Sequence, residues 1–419
     1  MNRRDFLRLT TGMAAATMTG CALARIDPDN VLVRSPYITS NRQEQEILAR
    51  AKLSQTQDGQ IRVLFVRGTA YERGYQHGVL LRKEINDNLG YMYEQGLKKF
   101  RFEELLAEVY ERVRPYIPEE YVEEMHGLAH GARMPLHQIH HLHILPDIGE
   151  WGGRKHIEKL LRQMMHGEEL GTSCSNFAVS KSATADGRLY AVRILDWGLH
   201  RISKLHRYPL LTVGVPDKGY AYCNIGWVGF LGAVSGMNER GITLGEMGYG
   251  DPPNETLFGK PMIFLLREIL SYDNSLADVR SRISGSPGTE SFGFLMSDGK
   301  RGDAELYVRD RDRFLPFGPG VDLRDRKDFF PAIKDIVYGG HYQEKMTKVL
   351  NQQHGKMTPE VLMKEVIPPL VMPSNFQNVV YDPAGLRFWV NNAKNKEISA
   401  ESQPYSEFRF GEEVQQFRS

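Results

Sequence analysis

The sequence predicts an α+β protein, and three observations carry that prediction. The stretch from about Tyr71 to Gln163 has mostly helical periodicity. After Leu170 the texture changes to short β-branched and aromatic runs separated by Gly, Asp-Gly and Asn-rich turns. Helical stretches recur between groups of these runs, as expected for antiparallel sheets layered with helices. With 419 residues, 41% apolar and 25% charged, the chain is long enough for one large or two ordinary core-forming domains.

Taken in order, residues 1–24 read as an address. Asn2-Arg3-Arg4-Asp5-Phe6-Leu7 has the form of a twin-arginine export signal, and Leu9–Gly20 is mildly apolar but too short to span a bilayer. Met18-Thr19-Gly20-Cys21 resembles a bacterial lipobox, which makes Cys21 a lipid attachment site and a link to the membrane. A plain signal peptide cut near Ala24 is the other reading. Both send an already folded protein to the periplasm or cell envelope.

Residues 25–173 form a mostly helical front portion. Gln43–Ser54 reads as a short helix, Ile61–Val66 as a buried strand, and Arg67–Gly78 as a glycine-punctuated entry into a helix. Phe102, Leu105, Leu106, Val109 and Val113 make an apolar stripe that Pro115 stops. Residues 174–419 form the strand-rich portion. Strands are expected at Phe177–Ser180, Leu189–Leu195, Leu210–Val215, Gly229–Val234, Ile242–Met247, Phe292–Met296, Ala304–Val308, Val379–Tyr381 and Arg387–Val390. Helices are expected at Met262–Ser271, Leu276–Ile283, Tyr342–Gln352 and Pro359–Val366.

A net charge of +1 with no basic block argues against a nucleic-acid partner. Apart from Cys21, the cysteines are Cys174 and Cys223, and composition alone suggests that they pair in an oxidising compartment. The surroundings of Cys174 argue for another use, with Cys223 packing as a small apolar residue. Cys174 stands where helical texture gives way to strands. Asp186-Gly187 is a hairpin-turn signal, and Arg188–Leu195 returns to Asp196-Trp197. A two-residue turn there sets Cys174 opposite roughly position 199, at the same sheet end as Arg193 and Asp196. Arg193 and Asp196 are three apart, so a bend or bulge near Asp196 is needed to bring both to the thiol.

These residue types suit nucleophilic catalysis. A neighbouring cation favours the thiolate, and an α-amine at a newly made N-terminus titrates near neutral pH, poised to act as general base. Asn238, in the turn Gly236–Gly241, offers an amide donor in a fixed position.

Cys174-Ser-Asn-Phe-Ala, Asp186-Gly187, Arg193-Ile-Leu-Asp-Trp197 and Met237-Asn-Glu-Arg-Gly241 together resemble the core of the choloylglycine hydrolase and penicillin-nucleus acyltransferase superfamily, to which acid-ceramidase-like amidases are related. Gly68–Gly78 and Met125–Ala132 resemble propeptide motifs of the acyltransferase branch. The resemblance implies a four-layer αββα fold and self-cleavage between Ser173 and Cys174 by an N-to-S acyl shift. It implies that Cys174 is nucleophile and base, that Asp196 orients the freed amine and that Arg193 polarises the site. Asn238 would contribute to the oxyanion hole, with Asn375 as the candidate for a second family Asn. Residues before Cys174 would stay associated as a separate chain, and the substrate would be a small linear amide, hydrolysed or passed to an amine. Ser175-Asn176 departs from the commoner Thr-Thr or Thr-Ser.

A rival reading starts from the histidines. His126, His130, His137, His140, His141 and His143 fall within eighteen residues, and the i,i+4 pairs suit a zinc hydrolase. Gly127, Gly131 and Pro135 interrupt that face and no zincin glutamate follows, so neither metal nor cofactor is expected. A non-catalytic binding lipoprotein is the other alternative.

Overall fold

The computed structural model describes residues 38–94, 103–146, 172–197, 203–249, 256–324 and 329–419. The expected export signal and the expected lipid site at Cys21 lie outside them. Ser40–Ser419 form one compact unit. The boundary before Cys174 is therefore a point in the chain, not a division between folded bodies.

Among the described residues two sheets make the centre, with strands numbered in chain order. The larger has nine strands, in the order β1 (Lys52–Gln55), β2 (Arg62–Gly68), β5 (Pro209–Pro216), β6 (Tyr222–Trp227), β7 (Ser235–Asn238), β8 (Ile242–Gly248), β9 (Phe292–Asp298), β10 (Asp303–Arg309) and β11 (Phe314–Phe317). The smaller has six, in the order β14 (Ile336–Gly340), β3 (Thr172–Lys181), β4 (Gly187–Trp197), β15 (Asn375–Asp382), β16 (Arg387–Asn392) and β17 (Ser406–Phe408). A short ribbon pairs β12 (Leu323–Arg324) with β13 (Phe329–Phe330). Helices of the front portion and the helices Met262–Tyr272 and Leu276–Gly285 pack on the larger sheet through one apolar cluster. A second cluster fills the space between the sheets and joins the smaller sheet to the segment from the helix Gln343–Gln353 to Leu370. The result is a four-layer αββα arrangement.

Among the described residues the named strands pair antiparallel except β2 and β5, which run parallel over seven residue pairs, Arg62↔Leu210 to Gly68↔Pro216. The front portion thus supplies two strands to the larger sheet and cannot be a detachable cap. Its glycine motifs have a packing cause. The helices Ala70–Leu80 and Glu119–Ala132 cross with their backbones almost touching. A Cβ at Gly74 would lie 1.9 Å from the Glu124 carbonyl oxygen, and one at Gly127 would lie 2.1 Å from that of Tyr71. Thr69 caps the first of these helices in a reciprocal box with Glu72.

Three local expectations need correction. The helix near residue 43 ends at Ala49, and β1 follows it. Gly229–Val234 is not a strand but the connection between β6 and β7, with Gly229 at φ +90°. The β3–β4 hairpin does not turn on Asp186-Gly187 alone. Lys181 pairs with Gly187 across a longer loop, the register shifts between Val179 and Lys181, and Lys181 takes φ +49°. Cys174 consequently faces Leu195 rather than a position near 199.

Candidate active site

The corrected register brings the sequence-predicted residues closer than expected. Asn176 pairs with Arg193 and Ser173 with Asp196, so Asp196 lies opposite the residue that precedes Cys174. Alternation along β3 and β4 puts Cys174, Asn176, Arg193 and Leu195 on one face and Asp196 on the other. β4 contains no bulge at Asp196, and the bend expected there is absent. The irregularity sits in the neighbouring strand β15, between Asn375 and Gln377.

Arg193 is the cation at the thiol. It is 1% exposed, and its Nη2 lies 4.0 Å from Cys174 Sγ. Its position is fixed from the facing sheet: Nη2 donates to Glu246 Oε2 at 3.1 Å and Nε to the Glu246 carbonyl oxygen at 3.3 Å. Gly245 makes room for this contact, since a Cβ there would come within 3.2 Å of the Arg193 Cβ and 2.7 Å of Asn176 Oδ1. Burial pushes the Glu246 carboxyl above its ordinary value, and the Arg193 charge offsets this only in part. Arg193 Nη1 and both amide atoms of Asn176 are buried and make no hydrogen bond among the described residues. Three polar atoms are thus left next to the thiol's strand, two of them donors.

Asp196 is 1% exposed and accepts from Asn375 Nδ2 at 2.9 Å. Burial lifts its carboxyl to about 7, against the Asn375 hydrogen bond, the Met372 backbone N–H and the charge of Arg193. The anionic and neutral forms are therefore both accessible near neutral pH. An aromatic group walls the same end: Trp227 stacks on Phe376 at 4.8 Å, and Trp197 meets both at 6.3–6.4 Å. Leu195, Trp227 and Phe376 belong to the cluster against which Cys174 packs.

Asn238 does not join this group. It is fully buried and its amide is saturated. Nδ2 donates to the carbonyls of Leu270 and Asp273, and Oδ1 accepts from the backbone N–H groups of Arg240 and Ile242. It ties the β7–β8 turn to the end of the helix Met262–Tyr272, and no hydrogen is left for an oxyanion. Sequence reading missed Glu246, whose role needs a partner 53 residues away on another sheet.

Cys174 and Cys223 form no disulfide. Among the described residues no group of three His, Cys, Asp or Glu side chains is placed to hold a metal. The histidines are engaged with aromatic partners: His130 Nδ1 with the Tyr71 hydroxyl at 2.8 Å, and His140 and His141 stacked on Tyr110 and Tyr93.

No family model matches the chain. Among curated proteins it is similar to Protein dcd1B of Dictyostelium discoideum, 26% identical over 356 residues that cover 75% of this chain and 65% of that protein. It is also similar to Protein dcd1A of the same organism, 26% identical over 316 residues covering 67% and 66%. The chain thus spans just under two thirds of the length of these relatives. Among solved structures it is similar to the Caenorhabditis elegans ortholog of N-acylethanolamine-hydrolyzing acid amidase, with 13% identity, a TM-score of 0.39 and coverage of 50% of this chain and 93% of that one. A mutant of conjugated bile acid hydrolase from Clostridium perfringens gives 10% identity, a TM-score of 0.35 and coverage of 57% and 97%.

Proposed function

We propose that the protein is a cysteine N-terminal-nucleophile amidase that cuts its own chain between Ser173 and Cys174 and then hydrolyses a linear amide of the N-acyl amine kind. The observation that carries the reading is the Arg193 guanidinium beside the Cys174 sulfur, clamped by Glu246. A fixed cation favours the thiolate over the thiol. In the cleaved protein the α-amine of Cys174 accepts the thiol proton as sulfur attacks the amide carbonyl, and returns it to the leaving amine. Water then releases the acid from the thioester. Asp196, facing the backbone on the other side of the cut, orients the ammonium group while ionised. Asn176 Nδ2 and Arg193 Nη1 are the donors available to a developing oxyanion, in place of Asn238.

Acyl transfer to an amine is the alternative fate of the same thioester. The sharing of the larger sheet between front and rear portions supports the two cleaved chains remaining together. We further propose export by the twin-arginine route, with lipid attachment at Cys21.

Mass spectrometry of the purified protein tests the reading. A new N-terminus at Cys174, fragments of roughly 17 and 27 kDa at about 110 Da per residue, and an acyl adduct on Cys174 after exposure to an N-acyl amide library are expected. An intact chain that acquires no adduct would exclude it.

A further inference from the structure

Behind Asp196 runs a line of buried asparagines that the chemistry above does not use. Asn375 Nδ2 donates to Asp196 Oδ1 and to Asn378 Oδ1, both at 2.9 Å. Asn378 Nδ2 donates back to Asn375 Oδ1 at 2.8 Å and onward to Asn391 Oδ1 at 3.0 Å. Asn391 Nδ2 ends the line on the Gln403 carbonyl oxygen at 3.1 Å. The three asparagines are at most 1% exposed.

The strand geometry assembles this line. Asn375 and Asn378 are three apart and would face opposite ways in a regular strand. The irregularity in β15 around Phe376 inserts one residue, so that Asn375 pairs with Asp196 while Asn378 pairs with Ile194 and Asn391. All of them then lie on the Asp196 face.

The far end gives the line a direction. A side-chain amide is nearly symmetric in shape, and its neighbours decide which end donates. The Gln403 carbonyl only accepts, so Asn391 must turn its NH2 there and its oxygen toward Asn378. Asn378 answers with NH2, and its own oxygen faces Asn375. Asn375 must then present NH2 to both Asn378 and Asp196. A reversed amide at any link would set oxygen against oxygen, ending with Asn375 Oδ1 against the carboxylate.

We propose that Asn378 and Asn391 are positioning residues, whose one-way amide relay from the Gln403 carbonyl keeps the Asn375 N–H aimed at Asp196. The inference rests on the reading of Asp196 as a working carboxylate. The relay holds the ionised form of Asp196 within reach despite its burial, because an N–H bond favours the anion. Of the other groups bearing on this carboxyl, Arg193 on its own strand favours the anion and Glu401 in the turn Ala400–Ser402 opposes it. The Tyr405 hydroxyl lies beside Asn378 and Asn391. The substitutions proposed alter none of these three.

The test is the titration of Asp196 followed by carbon-13 NMR of protein labelled at aspartate carboxyls, with the resonance assigned by its loss in Asp196→Asn. In Asn378→Leu the Asp196 midpoint should rise by about one pH unit, a tenfold loss of anion at a given pH below it. In Asn391→Leu, which removes only the anchor, the rise should be in the same direction and smaller. The acidic limb of amide hydrolysis should move with it. An unshifted midpoint in a folded Asn378→Leu protein would overturn the relay. If that variant does not fold, Asn391→Leu decides alone by the same criterion. Wild-type protein that titrates as expected but cleaves no amide would end the amidase reading and leave the relay standing.

Discussion

Between the helical layer and the larger sheet, Glu124 is shared by Arg73 and Arg267, each at 3.2 Å. Between the two sheets, Glu246 is held at 3.1 Å by Arg193, its one ion-pair partner among the described residues. All five side chains are buried. Burial would raise the Glu124 carboxyl, but two arginine charges outweigh it and hold the group below its ordinary value. At Glu246 burial wins over one arginine. The first cluster is further closed by carbonyl acceptors, Gly68 for Arg73 and Leu231 for Arg267, and by the Tyr222 hydroxyl. It joins Arg73 and Glu124 of the front portion to Arg267 of the rear. Buried guanidinium nitrogens without a hydrogen bond occur in both clusters among the described residues, Arg73 Nε and Arg267 Nε in the first and Arg193 Nη1 in the second, but the second also turns a guanidinium nitrogen to a thiol. The same residue types therefore make a fastening in one place and, on our reading, a reaction site in the other. The difference lies in how many charges hold the carboxylate and in what else the arginine faces.

The largest effect expected separates the two regions outright. Cys174→Ala should abolish processing, leaving one full-length band on a denaturing gel. It should lower amide hydrolysis by at least about a thousandfold, the order of loss when a nucleophile is removed. Both clusters should stay intact. The next contrast exchanges stability for activity. Glu124→Leu leaves two buried arginines without an anion and should cost about 3–5 kcal/mol in urea unfolding. Arg193→Met should cost less, because Glu246 is already inclined to take up a proton, yet should reduce turnover by about a hundredfold or more. Equal stability losses in the two variants would break the comparison.

The contrast also has a pH signature. Asp196 titrates near 7 in the folded protein against an ordinary 3.8, chiefly through burial. A carboxyl raised in this way favours the folded state when protonated. Its contribution is fully present below its ordinary value and is lost as pH rises through about 7. The shift corresponds to about 4 kcal/mol at most, from 1.36 kcal/mol per unit. Asp196→Asn should therefore be more stable than wild type at pH 8 and nearly equal to it at pH 3. Activity, which on our reading needs the anion, should climb over the same interval in which the Asp196 contribution to stability is lost. His77 and His143 act in the opposite sense over much of the same interval. Burial holds both near 4, and their ring nitrogens accept from the backbone N–H groups of Gly229 and Leu231. Stability from these contacts is lost as pH falls from about 6.5 through 4. Thermal midpoints of wild type and Asp196→Asn, measured across pH 3–9, should diverge in favour of the variant from about pH 4 to 7 and stay apart above it, because the histidine contribution is common to both.

Much of this site was legible because its signals are local. Asp186-Gly187 announced the β3–β4 hairpin, and the hairpin put Arg193 near Cys174. The register was four residues out because nothing in the sequence marks Lys181 as a left-handed residue that lengthens the loop. The connection after Trp227 reads as a strand because Phe230-Leu231 and Ala233-Val234 make a short apolar run. Its actual shape is imposed from the front portion, where Asn88 donates to the Val228 carbonyl and His77 and His143 accept from the loop. Glu246 carries no local signal. One polar residue in an apolar strand is ordinary, and only the approach of the second sheet gives it a partner. Likewise the parallel β2–β5 pair joins segments nearly 150 positions apart, beyond the reach of turn chemistry or periodicity.

Asn238 gives the smallest expected effect. The motif resemblance assigns this residue to the oxyanion hole, whereas its four hydrogen bonds assign it to the β7–β8 turn. Asn238→Ala leaves the carbonyls of Leu270 and Asp273 and two backbone N–H groups without their partner. A cost of about 1–3 kcal/mol is expected from unsatisfied buried groups. An oxyanion donor, in contrast, would cost about a hundredfold or more in turnover. Turnover per folded molecule should stay within about twofold, because the amide has no hydrogen to give the reacting atoms. The measurement is turnover normalised to the folded fraction, set beside urea unfolding of the same sample. A hundredfold fall in turnover with an unchanged unfolding midpoint would move Asn238 into the site and require its bonds to Leu270 and Asp273 to open during the reaction.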